Sequence, residues 1–289
     1  SGASLDDAVA LQLHRSLEQV VGILGVLDAG APRIAYDISG AGDVVLFLHG
    51  IGGNRTNWRD QLPAFAERFQ AVAWDARGYG QSDDYDGPLD FGDFALDAVR
   101  LLDHLNVEKA HIVGLSMGGR IALDFVARFS SRVATLTLSG TRSSFAERTP
   151  EERDEFVRLR KQPLVDGGKE PRDIAPTVAR TLLGRRSTAA HFDQLVESIS
   201  VLHKESYIKT IEASTYYDRS AALEDIGVPT LLVYGGDDRL NGPSLGREIA
   251  SKIADARFVE IPDAGHLCNI EAPTEFNAAI LGFLNEVAG

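Results

Sequence analysis

The sequence predicts an α/β protein, a doubly wound and mostly parallel sheet with a helical cap inserted late in the chain. Three observations predict it. Continuous apolar runs at residues 44–48, 71–74, 111–115, 134–138, 230–234 and 257–261 mark strands covered on both faces. Helical patterns separate most of these runs, the rhythm of parallel strands joined by crossover helices. Between 138 and 230 that rhythm breaks into an arginine-rich, helix-like stretch interrupted by Pro150, Pro163, Pro171 and Pro176. Residues 142–218 therefore read as the cap, and residues 20–141 with 219–289 as the core.

The elements before the first buried strand follow other signals. Ser4-Leu5-Asp6-Asp7 is a helix start, and Val9, Leu13 and Leu17 form one apolar stripe, so residues 1–19 read as an N-terminal helical extension. That stripe has two outlets, the chain's own sheet or a second copy in a homodimer. Strand-like runs at 20–27 and 34–38 are joined by Asp28-Ala29-Gly30, a hairpin turn signal.

Composition narrows the function classes. The chain has 289 residues, 44% apolar and 25% charged, enough to bury a substantial core. No stretch approaches the roughly 20 apolar residues of a membrane span, and no basic leader precedes an apolar segment, so the expectation is a cytoplasmic protein. A single cysteine, Cys268, excludes an internal disulfide and a cysteine-rich metal site; it reads as a small buried residue. The formal charge of −13 argues against nucleic acid or an anionic membrane as partner. Residues 142–218 hold 13 basic and 13 acidic residues against 16 and 29 elsewhere, so the cap stands apart from an acidic core.

The most informative motif is Gly114-Leu115-Ser116-Met117-Gly118-Gly119. It follows an apolar strand and precedes Ile121, Ala122, Phe125, Val126 and Phe129 at helical spacing. A serine on so sharp a strand-to-helix turn needs neighbours without bulk, and Gly114 and Gly118 supply that, which makes Ser116 a candidate nucleophile. A free hydroxyl attacks poorly, so it needs a base within reach and an acid to orient that base. His266, in the loop after the last strand, fits the chain order serine, acid, histidine; the other six histidines do not. The acid should follow the strand at 230–234, where Asp237 and Asp238 compete.

Further motifs fall in a fixed order: His49-Gly50-Ile51-Gly52-Gly53, Asp75-Ala76-Arg77-Gly78-Tyr79-Gly80-Gln81-Ser82, Gly235-Gly236-Asp237-Asp238 and Gly265-His266. With the serine turn, they make the chain resemble the α/β-hydrolase fold serine hydrolases over nearly its whole length, the N-terminal helix excepted. The resemblance implies a triad of Ser116, Asp238 and His266, with Asp237 a loop residue. It implies an oxyanion hole from the backbone N–H groups of Ile51 and Met117, and neither metal nor cofactor. His49 would be a structural hydrogen-bonder, and Asp75 and Arg77 would stabilise a turn. Relatives that attack with aspartate, the haloalkane dehalogenases and epoxide hydrolases, are set aside because position 116 is serine.

The elbow and the run Ala264-Gly265-His266-Leu267-Cys268-Asn269-Ile270-Glu271-Ala272-Pro273 are similar to 3-oxoadipate enol-lactonases and carboxylesterases. The resemblance thus implies hydrolysis of a small ester or lactone, with a carboxylate-bearing one among the options, and a small molecule as the only required partner. Hydrolases of carbon–carbon bonds in ring-cleavage products are close in pattern, and a non-catalytic receptor on the same fold is the reading from another class. An acidic substrate would suit the arginine-rich cap, where Arg142, Arg158 and Arg160 are the candidate ligands.

Overall fold

The computed structural model describes residues 20–23, 31–219 and 222–288. The predicted N-terminal helix and the turn at 28–30 lie outside them.

Among the described residues eight strands form one sheet: β1 (Val20–Ile23), β2 (Ala35–Gly40), β3 (Val44–Leu48), β4 (Gln70–Trp74), β5 (Ala110–Leu115), β6 (Val133–Ser139), β7 (Thr230–Gly235) and β8 (Ala256–Ile261). Their order is β1-β2-β4-β3-β5-β6-β7-β8, with β1 and β2 antiparallel at one edge and all pairs from β4 to β8 parallel. The central strands are as the sequence predicts because each is sealed on both faces: every residue of β3 is buried, and so is every residue of β7. β4 lies on one side of β3 and β5 on the other, so the winding reverses between β3 and β5. Ligands of open α/β sheets bind at the carboxyl ends of the strands at such a point. Here those ends are Leu48 and Leu115, followed by His49-Gly50-Ile51 and by Ser116.

The core helices are α1 (Leu62–Ala66), α2 (Asp93–His104), α3 (Met117–Arg128), α8 (Pro243–Lys252), α9 (Cys268–Glu271) and α10 (Pro273–Ala288). Helix α3 is buried from Met117 to Val126, including Arg120 and Asp124. Phe47 packs on Trp58 and Phe65 with ring centroids 5.0 and 5.1 Å away, which ties β3 to the segment after it.

Four helices stand between β6 and β7: α4 (Pro150–Val165), α5 (Pro171–Leu182), α6 (Ala189–Ser200) and α7 (Lys204–Tyr216). The four prolines do not all interrupt. Pro150 and Pro171 open α4 and α5, where no N–H is needed. Pro163 falls in the last turn of α4, and Pro176 sits inside α5, whose Ile174, Ala175 and Ala179 are buried and hold the helix despite one missing hydrogen bond. None of the helices among the described residues is long and apolar enough to cross a membrane.

Candidate active site

Between the end of β5 at Leu115 and the start of α3 at Met117, Ser116 alone makes the reversal. Its backbone sits at φ 55°, ψ −112°, a region L-residues rarely occupy. Two glycines permit it: a Cβ on Gly114 would stand 2.3 Å from the Gly118 carbonyl oxygen, and one on Gly118 would stand 2.0 Å from that of Leu48. Hydrogen bonds hold the turn from outside. The Ser116 N–H donates to the Ser139 carbonyl at 2.8 Å, and the Ser116 carbonyl accepts from Thr141 Oγ1 at 2.6 Å.

His266 is buried in the loop after β8, and its Nδ1 lies 2.8 Å from Oδ2 of Asp238 in the loop after β7. An ionised carboxylate only accepts, so the ring proton belongs on Nδ1 and Nε2 is left as an acceptor. Oδ1 of Asp238 takes the N–H groups of Leu240 at 2.8 Å and Asn241 at 3.0 Å. Burial raises the Asp238 pKa, but the His266 ring and these hydrogen bonds outweigh it and hold the carboxyl below its ordinary range. Asp237 turns away, accepting from the Arg185 N–H at 3.0 Å.

The N–H groups of Ile51 and Met117 make no hydrogen bond within the described residues, and Met117 N–H opens a helix, where the dipole favours negative charge. The loop carrying Ile51 is held by groups around it. Nε2 of His49 accepts from Ala76 N–H at 3.0 Å, so its Nδ1 donates to the Gly50 carbonyl at 2.8 Å; with both nitrogens engaged and burial depressing its pKa, His49 is structural. Asp75 is fully buried and accepts from Arg55 N–H at 2.7 Å and Gln81 N–H at 2.8 Å, while the Arg55 guanidinium bonds Asp75 and reaches Asp37 at 2.9 Å. Arg77 does more than brace a turn, since it grips Asp97 of α2 through two nitrogens at 2.6 and 2.9 Å. From the cap, Ser198 Oγ donates towards the Gly52 carbonyl and Asn57 Oδ1 at 3.3 and 3.1 Å, joining α6 to the same loop.

Ser116 and His266 line two adjoining cavities of about 380 and 420 Å³. The first is mainly apolar, with Trp58, Leu159, Ile174, Val178 and Leu195. The second is lined by Arg120, Arg142, Arg148, Arg160 and Arg239, and no carboxylate lines it among the described residues. Arg142 therefore lines a cavity with the serine, held by Asn241 Oδ1 at 2.9 Å and Glu147 at 2.5 Å, and Arg160 borders both cavities. Arg158 does not reach them. It is exposed and paired with Glu155 at 2.6 Å, because two residues along an α-helix turn the side chain by about 200° and residues 158 and 160 face opposite ways.

A sequence profile described as alpha/beta hydrolase fold matches residues 43–273. The chain belongs to this family. RutD of Azorhizobium caulinodans, a protein named for carbamate hydrolysis, is 32% identical over 274 residues, covering 89% of this chain and 97% of its own. Among solved structures, an esterase of Thermogutta terrifontis with malate bound superposes with a TM-score of 0.83 at 28% identity, covering 93% of this chain and 99% of that one. The enol-lactonase of Burkholderia xenovorans LB400 gives 0.77 at 26%, covering 88% and 97%.

Three residues that shape the site of this α/β hydrolase escape sequence reasoning. Arg55 braces the loop of Ile51, Arg148 adds charge to the second cavity, and Glu271 joins the histidine loop to the cap. The buried Glu271 carboxylate accepts from the N–H groups of Gly184 at 3.0 Å and Gly265 at 3.1 Å; burial pushes its pKa up to about 6, against the pull of those hydrogen bonds. A lone charged residue in the run Leu267-Cys268-Asn269-Ile270-Glu271-Ala272 after His266 is the one signal that marks it. Cys268 beside it is fully buried, and burial pushes its thiol up to about 12, which makes it inert.

Proposed function

We propose that this α/β hydrolase cleaves a small, carboxylate-bearing ester or lactone through an acyl-enzyme on Ser116. One observation carries the reading: the strained Ser116 and the buried His266–Asp238 pair open onto the same cavities. In acylation, Ser116 Oγ bonds to the substrate carbonyl carbon and gives its proton to His266 Nε2, while Asp238 stabilises the imidazolium. The carbonyl π pair moves onto oxygen, where the Ile51 and Met117 N–H groups meet it. Collapse expels the alkoxide, which takes the proton from Nε2; in a lactone that alkoxide stays tethered to the acyl chain. Water then repeats the sequence in place of the serine, releasing the acid and restoring Ser116. The guanidinium groups that line a cavity with the serine suit an acidic substrate, and the esterase neighbour was solved with an acid, malate, bound.

The test is hydrolysis of p-nitrophenyl acetate and of a simple lactone by wild type and Ser116→Ala. An initial burst and steady turnover that fall at least about a thousandfold in the variant support the reading. Turnover that survives the substitution overturns it. Tight binding with no turnover in wild type favours the receptor, and preference for an acidic dienoate over esters favours carbon–carbon cleavage.

A further inference from the structure

The arginines of the second cavity differ in what already occupies them. Arg120 is spent on the carbonyls of Ser214 and Tyr217. Arg142 is spent on Glu147, Asn241 and the Leu240 carbonyl, and Arg239 lies 3.7 Å from Asp237. The guanidinium groups of Arg148 and Arg160 have no carboxylate partner and donate no hydrogen bond among the described residues.

What holds these two is aromatic. The Arg160 and Arg148 guanidinium carbons stand 3.5 and 4.7 Å from the centre of the Phe156 ring, and Phe145, 5.1 Å from Phe156, is shared by Arg148 at 5.6 Å and Arg142 at 4.4 Å. A phenyl face fixes a guanidinium plane electrostatically and uses none of its N–H donors. The ladder therefore presents two oriented, unspent donor forks to a cavity that Ser116 and His266 also line.

These two forks set how much anion the cavity takes. Arg120, Arg142 and Arg239 already face carbonyls or carboxylates, and Glu147, Glu151, Glu152 and Glu155, which share a separate cleft with Arg148 and Arg160, pair with neither guanidinium among the described residues. A single carboxylate fills one fork and leaves the other without a partner. We propose that the substrate is a dianion, with its doubly charged part on Arg148 and Arg160 and its apolar part in the cavity of Trp58, Leu159 and Ile174. The shared chemistry is an oxyanion pair, supplied either by two carboxylates or by one phosphate monoester. The proposal rests on Ser116 being the reacting group, which fixes where the two cavities meet.

Binding to the Ser116→Ala protein tests this without turnover, so it stands or falls separately from the hydrolase assay. Calorimetric titration with adipate, glycerol phosphate and hexanoate should find a dianion bound at least roughly tenfold more tightly than hexanoate. Adding Arg148→Met or Arg160→Met should each weaken the dianion roughly tenfold to a hundredfold and flatten its salt dependence, with Lys at either position intermediate. Preference for adipate identifies two carboxylates, and preference for glycerol phosphate identifies the monoester. Both side chains are free of hydrogen bonds, and a thermal melt verifies the fold of each variant. Hexanoate binding as tightly as both dianions, or folded Met variants binding the dianion as the parent does, overturns the proposal.

Discussion

Asp238→Asn isolates the part of the site that sets the histidine's proton. Oδ1 of Asp238 receives two backbone N–H groups, from Leu240 and Asn241, and Oδ2 faces His266 Nδ1. An asparagine must keep its oxygen where those two N–H groups point, which turns its NH2 towards the ring. Nδ1 then becomes an acceptor, the proton moves to Nε2, and the base is blocked on the side it needs. Flipping the amide restores the tautomer but sets NH2 against two partly buried donors, at about 1–3 kcal/mol for each lost bond, or about 2–6 kcal/mol together. That alone lowers the productive population by roughly thirtyfold to twenty-five-thousandfold, and losing the charge that stabilises the imidazolium slows the reaction further. The expected result is a fall in kcat of about 10³–10⁴ with KM little changed, read from steady-state hydrolysis of p-nitrophenyl acetate at pH 7.5, alongside Asp237→Asn as a control. An Asp238→Asn enzyme within tenfold of wild type, with Asp237→Asn the inactive one, would refute the reasoning.

Two further predictions concern stability. Arg55→Met removes the buried cation between Asp37 and Asp75, which should cost about 3–5 kcal/mol and lower Tm by more than about 6 °C; a melt within a degree or two of wild type would contradict it. The Glu271 pKa is raised by burial to about 6, so the fold favours its neutral form. That contribution is fully present below the ordinary value of 4.5 and is lost as pH rises through about 6, at most about 2 kcal/mol. Relative to Glu271→Gln, wild type should therefore lose a few degrees of Tm between pH 4.5 and 7, and a constant difference between the two melts would count against it.

The sheet was legible because strands sealed on both faces must be apolar throughout, as Val44-Val45-Leu46-Phe47-Leu48 is. At the edge the expectation of a strand from residue 20 agrees with β1 over the described residues Val20–Ile23. The sharp turn at Ser116 and the loops that carry His266 and Asp238 could be read because they follow directly on apolar strands. Arg158 misled because two arginines two residues apart look equivalent in a sequence and are opposed on a helix. Glu271 and Arg55 stayed hidden because their partners are remote: Gly184 is 87 residues from Glu271, and Asp37 and Asp75 are 18 and 20 from Arg55. No periodicity spans such gaps.

The end of α5 is bonded to the loop that carries the imidazole. His266 N–H donates to the Leu182 carbonyl at 2.9 Å, Arg186 N–H to that of Asp263 at 3.1 Å, and Gly184 N–H to Glu271. Lifting the lid at this corner would drag the base out of register, so the corner behaves as a fixed hinge post. Away from this corner, the exposed Leu159 and Arg160 of α4 border the first cavity. A bulkier residue at position 159 would narrow that cavity without touching the bonds that tie α5 to the histidine loop.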